Sequence, residues 1–85
     1  MLRFLQGEPA AQTNLGVMYS KGVGVPQDYA EAVKWHRLAA EQGTASAQYN
    51  LGLRYDKGQG VLQNNVIAHM CYNIASANGD EKSSK

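Results

Sequence analysis

The sequence predicts an all-α chain built from repeated antiparallel helix pairs, and three observations carry that class. First, residues 11–43 match residues 47–79 at a shift of 36 without a gap, and 14 of these 33 positions are identical. Chance gives roughly two at ordinary residue usage. Second, the nine glycines fall into four repeated positions: Gly7/Gly43/Gly79, Gly16/Gly52, Gly22/Gly58 and Gly24/Gly60. Third, apolar residues recur at helical spacing within each period, as in Ala11, Leu15 and Tyr19. The matches Leu2/Leu38 and Gln6/Gln42 extend the register upstream. The chain therefore reads as one domain, 1–85. Repeat 1 covers about 8–43 and repeat 2 about 44–79. Residues 1–7 read as the end of a preceding repeat, and 80–85 as a polar, mobile tail.

Each repeat opens with a helix, expected over roughly Ala10 to Ser20 and again over Ala45 to Asp56. Gly22 suits a left-handed residue at the helix C-terminus, where a missing Cβ removes the steric cost. Lys21 sits favourably at the negative end of the helix dipole. Pro26 then delays the next helix until Asp28. That second helix is expected over roughly Asp28 to Gln42, with Asp28 as N-cap and Glu31 completing a capping box. Ala32, Val33, Trp35, His36, Ala39 and Ala40 give it a broad apolar face, and Gly43 ends it. The sister helix is expected over Asn64 to Asn78, with Asn64 as N-cap, Ile67 in place of Glu31, and Gly79 as its end. Gly16 and Gly52 stand inside helices, where glycine costs about 1 kcal/mol relative to alanine. Recurring at one point, they predict close helix–helix approach.

Bulk composition removes several functional classes. The formal charge is +1, with eight Lys+Arg spread along the chain, so no stripe tracks a phosphate backbone and nucleic acid is not expected. The longest uncharged stretch, 58–79, is rich in Asn and Gln, so no membrane span is expected. A lone cysteine, Cys71, forms no internal disulfide. No signal peptide is visible, which leaves a cytoplasmic location as the default.

The pattern Ala11, Leu15, Gly16, Tyr19, Gly22, Gly24, Val25, then Ala32, Trp35, Ala39, Ala40, Gly43 resembles the Sel1-like repeat family, relatives of the tetratricopeptide repeat. The second copy reads Ala47, Leu51, Gly52, Tyr55, Gly58, Gly60, Val61, Ala68, Cys71, Ala75, Ser76, Gly79. The resemblance covers about residues 2–79. It implies a right-handed α-solenoid of antiparallel helix pairs, with two repeats plus a partial N-terminal one. Such proteins are common in bacteria and serve mainly as adaptors for protein–protein contacts. Cys71 and Leu62 depart from the pattern, replacing the counterparts of Trp35 and Pro26. The paired cysteines of some secreted relatives are absent, so the penicillin binding linked to those is not carried over.

No residue set points to catalysis or to a cofactor: Ser20 and Ser46 have no His or acid at a sequence-evident relation, which leaves a small hydrolase as a remote alternative. His36, His69 and Cys71 are the only soft metal-ligand candidates, and His69 and Cys71, two apart on a helix, point in divergent directions and cannot share a metal. Cys71 is expected as a buried, inert thiol. Gly22-Val23-Gly24-Val25 lacks the Lys-Ser/Thr of a phosphate loop and reads as a helix connector. The resemblance places the first helix of each repeat on a concave binding face. Gln12, Asn14, Met18, Gln48, Tyr49, Asn50 and Arg54 are the candidates to line it, because Asn and Gln can donate to and accept from an extended peptide at once. The competing reading makes Gln12/Gln48 and Asn14/Asn50 structural hydrogen-bonders. Solenoids usually need about three repeats for stability. Two therefore predict self-association or a longer array, through the apolar Val66, Ile67, Met70 and Ile74 of the last helix.

Overall fold

The computed structural model describes the backbone of residues 8–83 and the side chains of residues 8–79. Four helices follow one another: α1 (Pro9–Lys21), α2 (Tyr29–Glu41), α3 (Ala45–Lys57) and α4 (Asn65–Ser83). No strand occurs among the described residues. The expected remnant of a preceding repeat at 1–7 lies outside them, as do residues 84 and 85. Helix α1 packs on α2, α2 on α3 and α3 on α4. This serial stacking of two helix pairs is an α-solenoid.

The connectors explain the recurrence of their residues. Gly22 and Gly58 adopt φ 70° and 67° and close α1 and α3, their amides bonding to the carbonyls of Met18 and Arg54. Gln27 and Gln63 then reach back, their Nε2 groups donating to the carbonyls of Ser20 (2.9 Å) and Asp56 (3.3 Å). The amides of Asp28 and Asn64 donate to the carbonyls of Tyr19 and Tyr55. These bonds hold the second helix of each repeat against the end of the first.

Asp28 and Asn64 cap α2 and α4, accepting from the amides of Glu31 (3.1 Å) and Ile67 (3.0 Å). The reciprocal half of the expected capping box does not form. The Asp28 amide is already bonded to Tyr19, and the Glu31 carboxylate pairs with Lys34 at 3.0 Å.

The helical glycines mark ring-on-backbone contacts. A Cβ on Gly16 would lie 2.5 Å from the His36 ring, and one on Gly52 would lie 2.7 Å from the Tyr72 ring. His36 and Tyr72 occupy the same position in successive repeats, so an aromatic ring from the second helix seats on the glycine of the first. The core around these contacts is small-residue: Ala11, Ala32, Val33, Ala39, Ala47, Leu51, Ala68 and Ala75 are buried. Trp35 and Cys71, expected inside, are only half-buried. The ring at the next position, His36 or Tyr72, takes the inward place instead.

Gly79 does not end α4, which runs on to Ser83. Its counterpart Gly43 turns left-handed at φ 90°, and the Thr44 amide folds back onto the Ala39 carbonyl. Glycine permits such a stop without imposing it, and Asp80, Glu81 and Lys82 are tolerated in a helix. The expected tail at 80–85 is thus helical as far as Ser83.

Candidate functional site

The helix contacts within and between the repeats engage several of the polar side chains. Gln48 is only 7% exposed. Its Nε2 donates to the Ala40 carbonyl of α2 (3.1 Å), and its Oε1 accepts from Asn78 Nδ2 (2.8 Å). Asn78 Nδ2 also reaches the Gly43 carbonyl. Gln12 is 1% exposed and accepts from Gln42 Nε2 at 2.8 Å. Both amides are therefore committed to hydrogen bonds within the fold. A buried amide needs partners on both its ends, and here they tie α3 to α2 and α4.

Arg54 also leaves the proposed face. Its guanidinium lies over the Tyr29 ring at 5.3 Å, bracing α3 against the start of α2. Nearby, the Arg37 guanidinium donates to the Tyr55 hydroxyl at 2.9 Å. Gly60 completes this joint. Any Cβ there would sit 2.5 Å from the Tyr29 carbonyl oxygen, so the connector of repeat 2 lies directly on the α2 backbone. Met18 is half-buried, and its methyl turns toward Gly24 of its own connector.

Three of the seven expected residues remain available: Asn14, Tyr49 and Asn50. Asn14 is exposed and Asn50 half-buried, and neither has a side-chain hydrogen bond among the described residues. Asn14 lines a hollow of about 440 Å³ between the starts of α1 and α3, together with Glu8, Pro9, Thr13, Thr44 and Ser46. A second hollow, of about 420 Å³, lies between α3 and α4, lined by Ala45, Ser46, Tyr49, Tyr72, Ala75 and Ser76. Ser46 borders both, so the two hollows adjoin along the start of α3 as a trough in two parts. Its far end is aromatic, where the Tyr49 and Tyr72 rings meet at 5.3 Å between centroids and 41°.

Tyr72, Ser46 and Ser76 were not among the sequence candidates. The signal for Tyr72 was its place 36 residues after His36, with a larger ring that extends past the glycine into the trough. Burial pushes the Tyr72 phenol pKa up, and the neighbouring Asp56 carboxylate adds to this. The phenol therefore stays protonated, with the Asp56 carboxylate as its side-chain hydrogen-bond partner.

The titratable groups off the trough show no constellation. Burial lowers the His36 pKa to about 4, with the Arg54 charge adding to the effect. Burial raises that of the Cys71 thiol, partly opposed by Arg37, which suits an unreactive thiol. No group of three potential ligands able to hold a metal occurs among the described residues. No described helix is long and apolar enough to cross a membrane.

Comparison with known proteins agrees with the repeat geometry. The Sel1 repeat family model matches residues 9–44 and again 45–80. A Sel1 repeat protein from Oxalobacter formigenes superposes with a TM-score of 0.81 at 47% identity, covering 82% of this chain and 29% of that one. A protective antigen present in uropathogenic Escherichia coli strains, displaying an SLR fold, gives 0.85 at 52% identity, covering 88% of this chain and 16% of that one. The chain thus spans less than a third of either protein. No curated protein matches.

Proposed function

We propose, from the premise that this chain belongs to the Sel1 repeat family, that it binds an extended segment of a partner protein in the trough joining Asn14 to Tyr49 and Tyr72. Sel1 repeats generally mediate protein–protein contacts. One observation supports this location most. Asn14, at the trough, has no side-chain hydrogen bond among the described residues, whereas the neighbouring repeated glutamines spend their amides on the fold.

An unbonded amide offers a donor and an acceptor side by side, which matches a peptide backbone. The Tyr49–Tyr72 end offers an apolar wall with hydroxyls at its rim, suited to an aliphatic or proline side chain. Ser46, at the junction, adds a small polar group that leaves room for the chain to pass.

Selection of peptides from a displayed library, followed by titration, tests the reading. Asn14→Ala should weaken selected peptides by roughly fivefold, the loss of about one net hydrogen bond. Tyr49→Ala should weaken them further without unfolding the chain, since Tyr49 is 51% exposed. Affinity unchanged in both variants would remove the trough as the binding surface.

A further inference from the structure

The two second helices are internal copies, so their faces can be compared position by position. On α2, the face that receives the next repeat carries Tyr29, Val33, Arg37 and Ala40: Tyr29 lies under Arg54, Arg37 bonds Tyr55, the Ala40 carbonyl accepts from Gln48, and Val33 is buried. The same positions on α4 are Asn65, His69, Asn73 and Ser76, all exposed. This face of α4 is thus polar.

The apolar residues of α4 lie elsewhere. Val66, Met70 and Ile74 are 70%, 55% and 50% exposed and follow one another at i, i+4 and i+8. Their counterparts on α2, Ala30, Lys34 and Leu38, face solvent even with a repeat stacked beside them. A further repeat in register would leave this stripe uncovered. Between the copies every charge on α2 is lost: Glu31 becomes Ile67, Lys34 becomes Met70, Arg37 becomes Asn73 and Glu41 becomes Ala77. From 65 to 79 the helix has no Asp, Glu, Lys or Arg.

We infer that this outer stripe of α4 pairs with the same stripe on a second copy of the chain, antiparallel, about a two-fold axis at Met70. The stripe is self-complementary. It is symmetric about Met70, with β-branched Val66 and Ile74 one turn to either side, so the axis sets Val66 against the partner's Ile74. No like charges meet across it, which a charged stripe such as that of α2 could not offer its own copy. A row at i±4 packing into its own kind crosses at about −50°, so the contact centres on one point rather than running the length of the helix. The trough residues Tyr72 and Ala75 lie toward α3, on another side of α4, so the dimer leaves the trough open.

Sedimentation velocity over the micromolar to submillimolar range tests this. The wild-type chain should move from monomer to dimer. Met70→Lys, which restores the lysine that α2 carries at the same exposed position, should weaken dimerisation at least tenfold with unchanged helical circular dichroism. Met70→Cys with Cys71→Ser should form a disulfide-linked dimer under mild oxidation, because helices crossing at this residue bring the two Cα atoms within bridging distance. Leu38→Cys with Cys71→Ser, at the exposed position of α2, should not. A wild-type chain that stays monomeric overturns the proposal, whether it stays free or binds neutral or anionic phosphatidylcholine-based vesicles through the stripe. So does a dimer that Met70→Lys leaves intact, or equal cross-linking at residues 38 and 70.

Discussion

At the residue scale, the account depends on what sits against Gly16, Gly52 and His36. Alanine would gain about 1 kcal/mol of helix propensity at either glycine. Its methyl would overlap the His36 or Tyr72 ring, an overpacking cost of roughly 1–3 kcal/mol. At Gly52 the Ala68 carbonyl also stands 3.1 Å from the new atom, and backbone yields less readily than a ring. Gly52→Ala should therefore lower the denaturant midpoint more than Gly16→Ala, as urea titrations followed by circular dichroism would show. His36 adds a pH dependence. Its folded pKa of about 4 lies below the ordinary imidazole value of 6.5, so the fold favours the neutral ring. Stability from this group is complete above pH 6.5 and is lost as pH falls from there toward 4. The loss is on the order of 3 kcal/mol at most. His36→Tyr, which borrows the residue of repeat 2, should flatten the urea midpoint between pH 7 and pH 4.5. The recurrence of these glycines was legible in the sequence. The rings they receive were not, because Trp35 was the larger and more conspicuous side chain.

At the element scale, both the order and the kind of every helix could be read from the chain, since caps, connectors and period agree with one another. What could not be read was the use of each polar side chain. Gln12 and Asn14 are two apart, recur together and look alike in sequence. Two residues along a helix is about 200° of rotation, which turns Gln12 into its own helix pair, against Gln42, while Asn14 stays outside. The same rotation decides Gln48 and Asn50. Gln48→Ala should thus cost on the order of 1–2 kcal/mol, the net loss of its hydrogen bonds to the Ala40 carbonyl and the Asn78 amide, each of which keeps a bond to Gly43. Asn50→Ala should be close to neutral, and thermal melts of the two variants separate the roles. The end of α4 was misplaced for a related reason. Gly43 and Gly79 are the same residue in the same register, yet only Gly43 is followed by a chain that folds back.

At the scale of the whole molecule, the central claim is that the two repeats form one stack rather than two tethered hairpins. The joint is built from Gly60 lying on Tyr29, Arg54 over the Tyr29 ring, and Gln48 bonded to Ala40. Gly60→Ala strikes it directly. The position has φ 82°, and the new methyl would meet Tyr29 backbone atoms at 2.5 and 2.6 Å. The single tryptophan, Trp35, lies in repeat 1, while the substitution lies in repeat 2. Urea unfolding of wild type and Gly60→Ala, followed by both Trp35 fluorescence and helical circular dichroism, is therefore the most direct measurement. One stack predicts coincident fluorescence and dichroism transitions in the wild type, and a fluorescence midpoint that falls with the substitution. A Trp35 transition that stays in place while the dichroism splits into two steps would contradict it.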